Sequence, residues 1–354
     1  MRNIHTGKLR KTIVVTIIML VMMMVFVSCN KVETEDVKIQ NTVIAMGTSF
    51  TSTLYGSDSD ALTEDLTSIE RLLNEVDAEI SWRNAGSLVH IFNEEHQVSV
   101  GEHEKVFQIA LDVAAQSQGA FDPTVLSVSE LWGIGTEEQR HPKDEEIQAA
   151  LENVDYTALG LENGTLYGEG NNLLFELGAI GKGYALDRIY ETIDQESVTG
   201  GILNAGSSIT VFGTKPGGDV FRVGLRDPRG THEDLIGILE LTDLSVSTSG
   251  DYEKYFEEDG KRYHHILDAR TGYPADSGLM QVTVIDKNST LCDALSTAGF
   301  ILGLRDGMKL MEDYGVMAIF VDNQKNVYYN SKSILEILVF EGESAGYTLM
   351  PYEG

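Results

Sequence analysis

Cysteine, proline and basic residues are scarce in this sequence. Its 354 residues include 2 Cys, 6 Pro and 26 Lys or Arg, against 55 Asp or Glu. Two cysteines cannot build a disulfide-stapled scaffold, and no Pro-rich linker divides the chain. The net charge of −29 excludes a protein that binds nucleic-acid phosphates, because such a protein needs a basic surface to release counterions.

The remaining composition is that of a folded, acidic protein. The hydrophobic fraction is 42% and there are 35 glycines, which distinguishes the chain from disordered acidic sequences. An anionic ligand would need local compensation from a metal ion, a helix N-terminus or a few placed cations. We expect Cys292 to be a buried small hydrophobe.

The N-terminal segment has a different composition from the rest. Residues 1–29 carry basic residues but no acidic one, and an apolar run over 12–28 precedes Cys29. This pattern is typical of a secretion signal and is marginal for a spanning helix, which needs about 20 residues. A small residue before Cys29 resembles a bacterial lipoprotein signal, in which that cysteine carries the lipid, including palmitate. An uncleaved anchor is the alternative, and both place the protein on the extracytoplasmic face of the cell membrane.

Secondary-structure patterns predict an α+β fold with mixed or antiparallel sheets packed by helices, because strands come in runs without strict β–α alternation. The predicted helices cover 60–80, 104–117, 144–152, 182–195, 291–302 and 305–314. The predicted strands cover 42–55, with a bulge or bend at Gly47, and 172–176, 201–204, 208–212, 221–225, 236–241, 279–285 and 318–321. The predicted organisation is a signal over 1–29, a flexible tether over 30–41, one domain over 42–340 and a tail over 341–354.

Asp293 and Thr297 form the first candidate site. They are four residues apart in a predicted helix and therefore share one face. A carboxylate and a hydroxyl are hard oxygen ligands that suit Mg²⁺ or Ca²⁺ better than Zn²⁺. The alternative is a helix-capping Asp with a buried Thr.

A Gly-rich turn over 178–183 opens another predicted helix. Small residues allow a backbone to approach a phosphate, and Lys182 can neutralise anionic oxygens at the helix N-terminus. The turn does not match a Walker A loop or a dinucleotide fingerprint. An ordinary strand-to-helix turn is equally compatible with the pattern.

Ionisable residues are concentrated over 263–274. In an extended segment His264 and His265 point to opposite faces, so only one of them can enter a given pocket. That histidine could be a base that activates a hydroxyl. The alternative is a loop stabilised by an Asp268–Arg270 pair, with both histidines at the surface.

Aromatic residues give weaker signals. Phe121 and Asp122 follow a helix end and could grip a planar ring with amide edges, but a glycine cap followed by an Asp-Pro turn needs no ligand. Trp82 could be a ring platform or part of the core.

The order of these motifs is more informative than any one of them. The sequence resembles the FAD:protein FMN transferases of the ApbE type over about residues 42–325. The resemblance rests on Met46-Gly-Thr48, Gly119-Ala-Phe-Asp-Pro-Thr124, Gly178-Ala-Ile-Gly-Lys-Gly-Tyr-Ala-Leu-Asp187, Asn204-Ala-Gly206, Gly224-Leu-Arg-Asp-Pro228, Thr248-Ser-Gly-Asp-Tyr252, His265-Ile-Leu-Asp-Ala-Arg-Thr-Gly272 and Asp293-Ala-Leu-Ser-Thr297.

The resemblance implies the ApbE-like fold and an enzyme that cleaves FAD with Mg²⁺. It would attach FMN through a phosphoester to a Thr or Ser of an acceptor protein and release AMP. The acceptor implied is a membrane redox subunit or an FMN-binding domain with a short Thr- or Ser-containing motif. Two alternatives remain: a Mg²⁺-dependent FAD pyrophosphatase, and a lipoprotein that binds FAD without turning it over.

The resemblance also assigns residues. Metal ligands would be Asp293, Thr297 and the carbonyl of Ala179, and His265 would be the base. Flavin contacts would come from Met46, Trp82, Ala120, Phe121, Asp122, Glu176, Lys182, His265 and Ile266. Two positions depart from the family pattern: Glu176 replaces a frequent Asp, and Ser207 a common Gly.

Overall fold

The computed structural model describes residues 36–170 and 172–354. The predicted signal over 1–29, the lipidation site Cys29 and tether residues 30–35 lie outside these ranges. Within them, no helix is both long and apolar enough to cross a membrane.

Helices alternate irregularly with strands along the chain. The helices are α1 (Ser59–Ile80), α2 (Leu88–Glu95), α3 (Glu104–Gln116), α4 (Leu126–Trp132), α5 (Asp144–Leu151), α6 (Gly181–Thr192), α7 (Ser289–Tyr314) and α8 (Ile334–Ile337). The strands are β1 (Val37–Ala45), β2 (Thr48–Gly56), β3 (Gln97–Ser99), β4 (Leu159–Glu162), β5 (Thr165–Gly168), β6 (Val198–Asn204), β7 (Ser208–Gly213), β8 (Phe221–Arg226), β9 (Leu235–Leu241), β10 (Leu244–Gly250), β11 (Tyr255–Glu258), β12 (Lys261–His264), β13 (Leu267–Asp268), β14 (Tyr273–Pro274), β15 (Leu279–Asp286), β16 (Met317–Asp322), β17 (Asn326–Tyr329), β18 (Leu338–Phe340) and β19 (Thr348–Pro351).

A central sheet organises the fold. Its strand order is β1-β2-β6-β7-β10-β15-β16-β17-β19, and neighbouring strands are antiparallel except for the parallel pair β17 and β19. Smaller sheets are formed by β18-β9-β8, by β3-β5-β4 and by the hairpins β11-β12 and β13-β14. The α+β prediction is confirmed.

The middle strands of the central sheet, such as β15 and β16, are buried on both faces. In β16, Ala318 and Phe320 join the main core beneath the helices, whereas Ile319 and Val321 join a second core beneath the β18-β9-β8 sheet. Successive side chains of a strand point to opposite faces, so a continuous apolar run is what such a strand requires.

A third apolar cluster fixes two loops that later form walls of the site. It combines Val128 and Trp132 of α4 with Ile147 of α5, Tyr263 of β12 and Leu267 of β13. The indole Nε1–H of buried Trp132 donates to the carbonyl of Gly272 at 2.8 Å. This bond joins the segment after α3 to the segment after β12.

The predicted helices are confirmed, and their ends differ from the prediction by a few residues. The two helices predicted over 291–302 and 305–314 are confirmed as the two parts of α7, which are separated by a break at Gly303, where φ is 81° and ψ is −177°. Only glycine reaches this backbone conformation without strain. The burial of Cys292 is also confirmed.

The strand predicted over 172–176 is wrong. Apart from an isolated bridge at Leu174, this segment does not pair with a strand. The Phe175 N–H donates to Asn93 Oδ1 at 2.6 Å, and the Phe175 carbonyl accepts from Asn93 Nδ2 at 3.0 Å. The apolar run is buried, but a side chain of α2 takes the place of a neighbouring strand.

Three boundaries also need correction. The segment over 42–55 is a hairpin of β1 and β2, because Met46 and Gly47 both have positive φ, the geometry of a tight two-residue turn. The predicted tether over 30–41 includes the start of β1, which pairs with β2 from Val37. The predicted tail over 341–354 contains β19, which extends the central sheet beside β17.

Helices α6 and α7 meet at a very close contact. A Cβ atom at Gly183 would lie 2.2 Å from the Ser289 carbonyl oxygen and 2.8 Å from Asp293 Cβ. The Asp187 carboxylate of α6 accepts hydrogen bonds from the Ser289 and Thr290 N–H groups, each at 2.9 Å. These bonds satisfy N–H groups in the first turn of α7, which have no partner within the helix.

We predict that Gly183→Ala destabilises the protein by about 3 kcal/mol or more, because the methyl group would overlap backbone rather than a movable side chain. The urea midpoint of unfolding measures the effect. Gly181→Ala is the matched control, since its Cβ would have no neighbour closer than 3.7 Å. Equal midpoints for the two variants would contradict the close contact.

Candidate functional site

A cavity of about 330 Å³ opens where the β1–β2 turn, the loop after α3, the N-terminus of α6, the end of β10, the segment after β12 and helix α7 meet. Its walls mix apolar, hydroxyl and charged groups. They are formed by Met46, Arg83, Ala120, Phe121, Asp122, Pro123, Val125, Ser129, Trp132, Ile134, Glu176, Gly178, Ala179, Lys182, Ser207, Thr248, Ser249, Gly250, Glu253, Lys254, His265, Ile266, Leu267, Ala269, Asp293, Thr297 and Ile301.

The structure brings almost all of the predicted site residues together in this one cavity. The predicted residues in its walls are Met46, Ala120, Phe121, Asp122, Glu176, Ala179, Lys182, His265, Ile266, Asp293 and Thr297. Trp82 is not among the lining residues. Its ring lies 4.0 Å from the guanidinium carbon of Arg83, and Arg83 is the residue of this pair that lines the cavity.

The Asp293 carboxylate contacts three polar groups in the wall of the site. Its side chain is 6% exposed. Oδ2 accepts from the Gly183 N–H at 3.0 Å, and Oδ1 accepts from the Ser208 hydroxyl at 3.0 Å and lies 3.4 Å from Lys182 Nζ. The carboxylate therefore connects the first turn of α6, strand β7 and helix α7.

Thr297 is one helical turn further along α7. Its hydroxyl lies 3.2 Å from the Ser249 hydroxyl of β10, which is also 2.9 Å from the Ser296 hydroxyl. Helix α7 begins at Ser289 with Asn288 as its N-cap. The helix-capping interpretation of Asp293 is therefore wrong, whereas the shared helix face with Thr297 is confirmed.

The oxygen atoms on this side of the cavity suit a Mg²⁺ ion whose coordination shell would be completed by oxygens of a substrate. Within the described ranges, no group of three or more His, Cys, Asp or Glu side chains could hold a metal ion. The oxygens that could hold one are the Asp293 carboxylate, the Thr297 hydroxyl and the Ala179 carbonyl, whose residues all line the cavity and which are all hard donors. Each carboxylate oxygen has two lone pairs, so Oδ2 keeps one after accepting from Gly183. Mg²⁺ typically takes one or two carboxylates together with substrate phosphates.

His264 and His265 point in opposite directions, as the sequence predicts. His264 is buried, and its Nε2 lies 3.0 Å from the Ala275 carbonyl. His265 lines the cavity, where its backbone N–H donates to the Lys254 carbonyl at 3.0 Å and its Nδ1 lies 3.3 Å from the same oxygen. A carbonyl can only accept, so Nδ1 carries the proton and Nε2 of the neutral ring has the free lone pair.

The surroundings of His265 keep its ring neutral. The residue is exposed to solvent on the open side of the cavity, and the remaining groups of the cavity wall lie around it. Desolvation by these groups, followed by the positive charge of Lys254, lowers the pKa of His265 to about 3. The loop beyond it is held by a two-point ion pair between Arg270 and Asp268, with both N···O distances 2.8 Å. The Asp268–Arg270 pair of the alternative interpretation is thus confirmed, whereas its surface position for both histidines is wrong for His264, which is buried.

Asp122 and Glu176 are two carboxyl groups of the opposite wall. Asp122 Oδ1 accepts from the N–H and hydroxyl of Thr124, and its Oδ2 accepts from the Tyr156 N–H at 3.0 Å. Glu176 accepts one long bond, 3.4 Å, from the Ser129 hydroxyl. Burial raises the pKa of both carboxyl groups. Asp122 thus shapes its loop, whereas Glu176 has oxygen atoms left for a ligand.

Sequence reasoning missed several cavity residues. Arg83, Thr248, Ser249 and Lys254 line the cavity, and none of them was assigned a role. The hydroxyl-rich run over 245–252 forms β10 up to Gly250, and no strand was predicted there. Strand alternation applied to that run would have predicted that every second hydroxyl shares one face.

Known proteins resemble this chain closely. The ApbE family model matches residues 46–320. An FAD:protein FMN transferase from Treponema pallidum (strain Nichols) is 34% identical over 62% of this chain and 65% of that protein, just under two thirds of its length. One from Vibrio cholerae is 32% identical over 70% of this chain and 75% of that protein.

Solved structures show the same similarity. The ApbE protein of Thermotoga maritima has a TM-score of 0.75 and 34% identity, and the flavin transferase ApbE from Vibrio cholerae has 0.76 and 26%. Each comparison covers 85% of this chain and 99% of the other.

We predict that the His265 imidazole stays neutral from pH 5.5 to 8. Its folded-state pKa is lowered, so the ring is already deprotonated below the pH at which an unperturbed His titrates, about 6.5. NMR of the ring Cε1–H groups checks this, and the resonance lost in His265→Asn gives the assignment. The urea-unfolded protein is the control, and a midpoint near 6.5 in the folded protein would contradict the prediction.

Proposed function

Because the chain belongs to the ApbE family, we propose that it is an FAD:protein FMN transferase that attaches FMN to a Thr or Ser hydroxyl of an acceptor protein and releases AMP. The observation that carries the proposal is a single cavity in which Asp293, Thr297, Lys182 and His265 all line the walls. Phosphoryl transfer depends mainly on positioning and on neutralising charge, and these residues are suited to both.

The metal side of the cavity is formed by helices α6 and α7. Asp293, Thr297 and the carbonyl of Ala179 would hold Mg²⁺, which when bound neutralises charge on the pyrophosphate oxygens. Lys182 adds a cation beside Asp293. The compensation for an anionic substrate is therefore concentrated here, within a strongly acidic chain.

The base in this proposal is His265. Its Nδ1 is occupied by the Lys254 carbonyl, so Nε2 is free to accept the proton of the acceptor hydroxyl. Because its pKa is lowered, the ring is unprotonated at neutral pH and ready to act. The hydrogen bond from Nδ1 to the Lys254 carbonyl also restricts rotation of the ring and therefore orients Nε2.

The flavin would occupy the wall that carries Met46, Phe121, Glu176 and Ile266. Met46 is held at the tip of the β1–β2 turn, where its N–H donates to Asp77 Oδ2 of α1 at 3.0 Å. Phe121 and Ile266 supply apolar surface, and both are buried. The raised pKa of Glu176 favours a protonated carboxyl group, which could donate a hydrogen bond to a ring oxygen or nitrogen.

Incubation of the purified chain with FAD, Mg²⁺ and a candidate acceptor tests the function. Acceptors encoded near the gene, such as membrane redox subunits or FMN-binding domains, are the first choice. Covalent flavin fluorescence on the acceptor together with AMP is the expected result. Free FMN with unlabelled acceptor would identify a pyrophosphatase instead, and bound FAD without AMP would identify a non-catalytic flavin-binding protein.

We predict that Asp293→Asn lowers FMN transfer on the order of 1,000-fold, because the amide cannot replace the charge of a metal-binding carboxylate. Asn keeps an oxygen that can accept from the Gly183 N–H, so the fold is retained, and Asp293→Ala gives the complete deletion. Asp313→Ala, an exposed position on the same helix, is the matched control. Unchanged turnover in Asp293→Asn would refute the metal assignment.

The N-terminal segment completes the proposal. A lipid on Cys29 would hold the enzyme at the extracytoplasmic face of the cell membrane, close to membrane-bound acceptors. Cys29→Ser is expected to abolish incorporation of labelled palmitate and to change the membrane fraction of the protein. Labelled palmitate on the Cys29→Ser variant would exclude this lipidation site.

A further inference from the structure

Three cationic residues line the cavity: Arg83, Lys182 and Lys254, the last of which is exposed to solvent. Lys182 lies beside Asp293, and the Arg83 guanidinium is stacked on the ring of Trp82. Within residues 36–170 and 172–354, the Lys254 ammonium makes no ion pair or hydrogen bond, although the lysine is part of the cavity wall. A cation with this placement is available for an anionic ligand.

The backbone of Lys254 is fixed to the proposed base. Strands β11 and β12 pair from Glu258↔Lys261 to Tyr255↔His264, and Lys254 with His265 continues this register by one pair. The Lys254 carbonyl accepts the His265 N–H at 3.0 Å and lies 3.3 Å from Nδ1. Lys254 and His265 are therefore direct neighbours in the cavity wall. The charge of the Lys254 ammonium contributes to the lowered pKa of His265.

The in-line geometry of the displacement indicates which of the two phosphates of FAD lies on the side of the cavity that carries His265. The attacking and leaving oxygens lie on opposite sides of the phosphorus that is transferred. A base must stand on the attacking side, within hydrogen-bond reach of the acceptor hydroxyl. A cation that shares the wall of His265 is thus near the transferred phosphoryl group and far from the departing AMP phosphate.

We propose that the Lys254 ammonium binds the non-bridging oxygens of the phosphoryl group that is transferred as FMN. This inference rests on the proposed function. In that reaction the acceptor oxygen bonds to the FMN phosphorus, the bond from this phosphorus to the AMP phosphate oxygen breaks with its electron pair going to AMP, and His265 Nε2 takes the hydroxyl proton. The Lys254 contact would exist with FAD and with FMN but not with riboflavin, which lacks the phosphate.

The test compares flavin binding by full-length variants in detergent. Lys254→Met removes the ammonium with little loss of side-chain length, Lys254→Arg restores a cation, and Lys309→Met removes an exposed lysine that pairs with Asp313 on α7. Isothermal titration with FMN and with riboflavin gives the Kd of each flavin. With an acceptor protein that becomes labelled, a single-turnover reaction with FAD gives the rate constant of FMN transfer.

A charged hydrogen bond to phosphate predicts that Lys254→Met weakens FMN binding about 10- to 100-fold. Riboflavin binding should be unchanged, Lys254→Arg should recover most of the FMN affinity, and Lys309→Met should match the wild type. Equal loss of both flavins, or unchanged FMN affinity, would overturn the inference. Wild-type protein that binds FMN but transfers none to any acceptor would count against the transferase activity alone, since the binding comparison does not need turnover.

Discussion

The contact between α6 and α7 at Gly183 is the constraint on which the rest of the site depends. A residue without a side chain allows the two helices to approach until the Ser289 carbonyl nearly touches the position of a Cβ atom. At this separation the Gly183 N–H reaches Asp293, and Lys182 lies on the cavity side of the same turn. Any greater distance would separate the Asp293 carboxylate from Lys182 and from the N-terminus of α6. The Asp187 carboxylate, bonded to the first N–H groups of α7, keeps the helices in that register.

Charge in this protein is organised locally rather than globally. The net charge of the chain is −29, and yet three cationic side chains and the N-terminus of α6 lie at its cavity. Desolvation and neighbouring charges change the protonation of the groups around them: Glu176 holds its proton more tightly and His265 less tightly. Such opposed shifts in one cavity are typical of sites that move protons. The acidic exterior does not interfere, because salt screens exposed charges beyond about 8 Å at physiological ionic strength.

The sequence was sufficient for much of the fold and most of the cavity. Long amphipathic helices such as α1 and α3 were predicted because their apolar spacing extends over several turns. The segment over 172–176 was not, because its apolar run looks like a strand while Asn93, distant in sequence, occupies its backbone groups. The hairpin turn was anticipated only as a bulge or bend at Gly47, because a methionine with positive φ, as at Met46, has no sequence signal. Ser249 escaped assignment because its place in the cavity depends on the pairing of β10 with β7 and β15, which are distant in sequence. Lys254 escaped assignment because the hairpin of β11 and β12, which places it opposite His265, was not predicted.

The break in α7 at Gly303 and the wide spread of the lining residues have a consequence for folding. The walls of the cavity are drawn from segments between Met46 and Ile301, so the contacts that close it join residues far apart in the chain. Such non-local contacts form late, because the entropy of closing long loops must be overcome first. Asp293 and Thr297 enter the chain only after most of it has been synthesised, and an N-terminal fragment that ends before residue 293 contains neither of them. A nascent chain of that length therefore cannot form the complete cavity, which closes only when α7 has been made and packed.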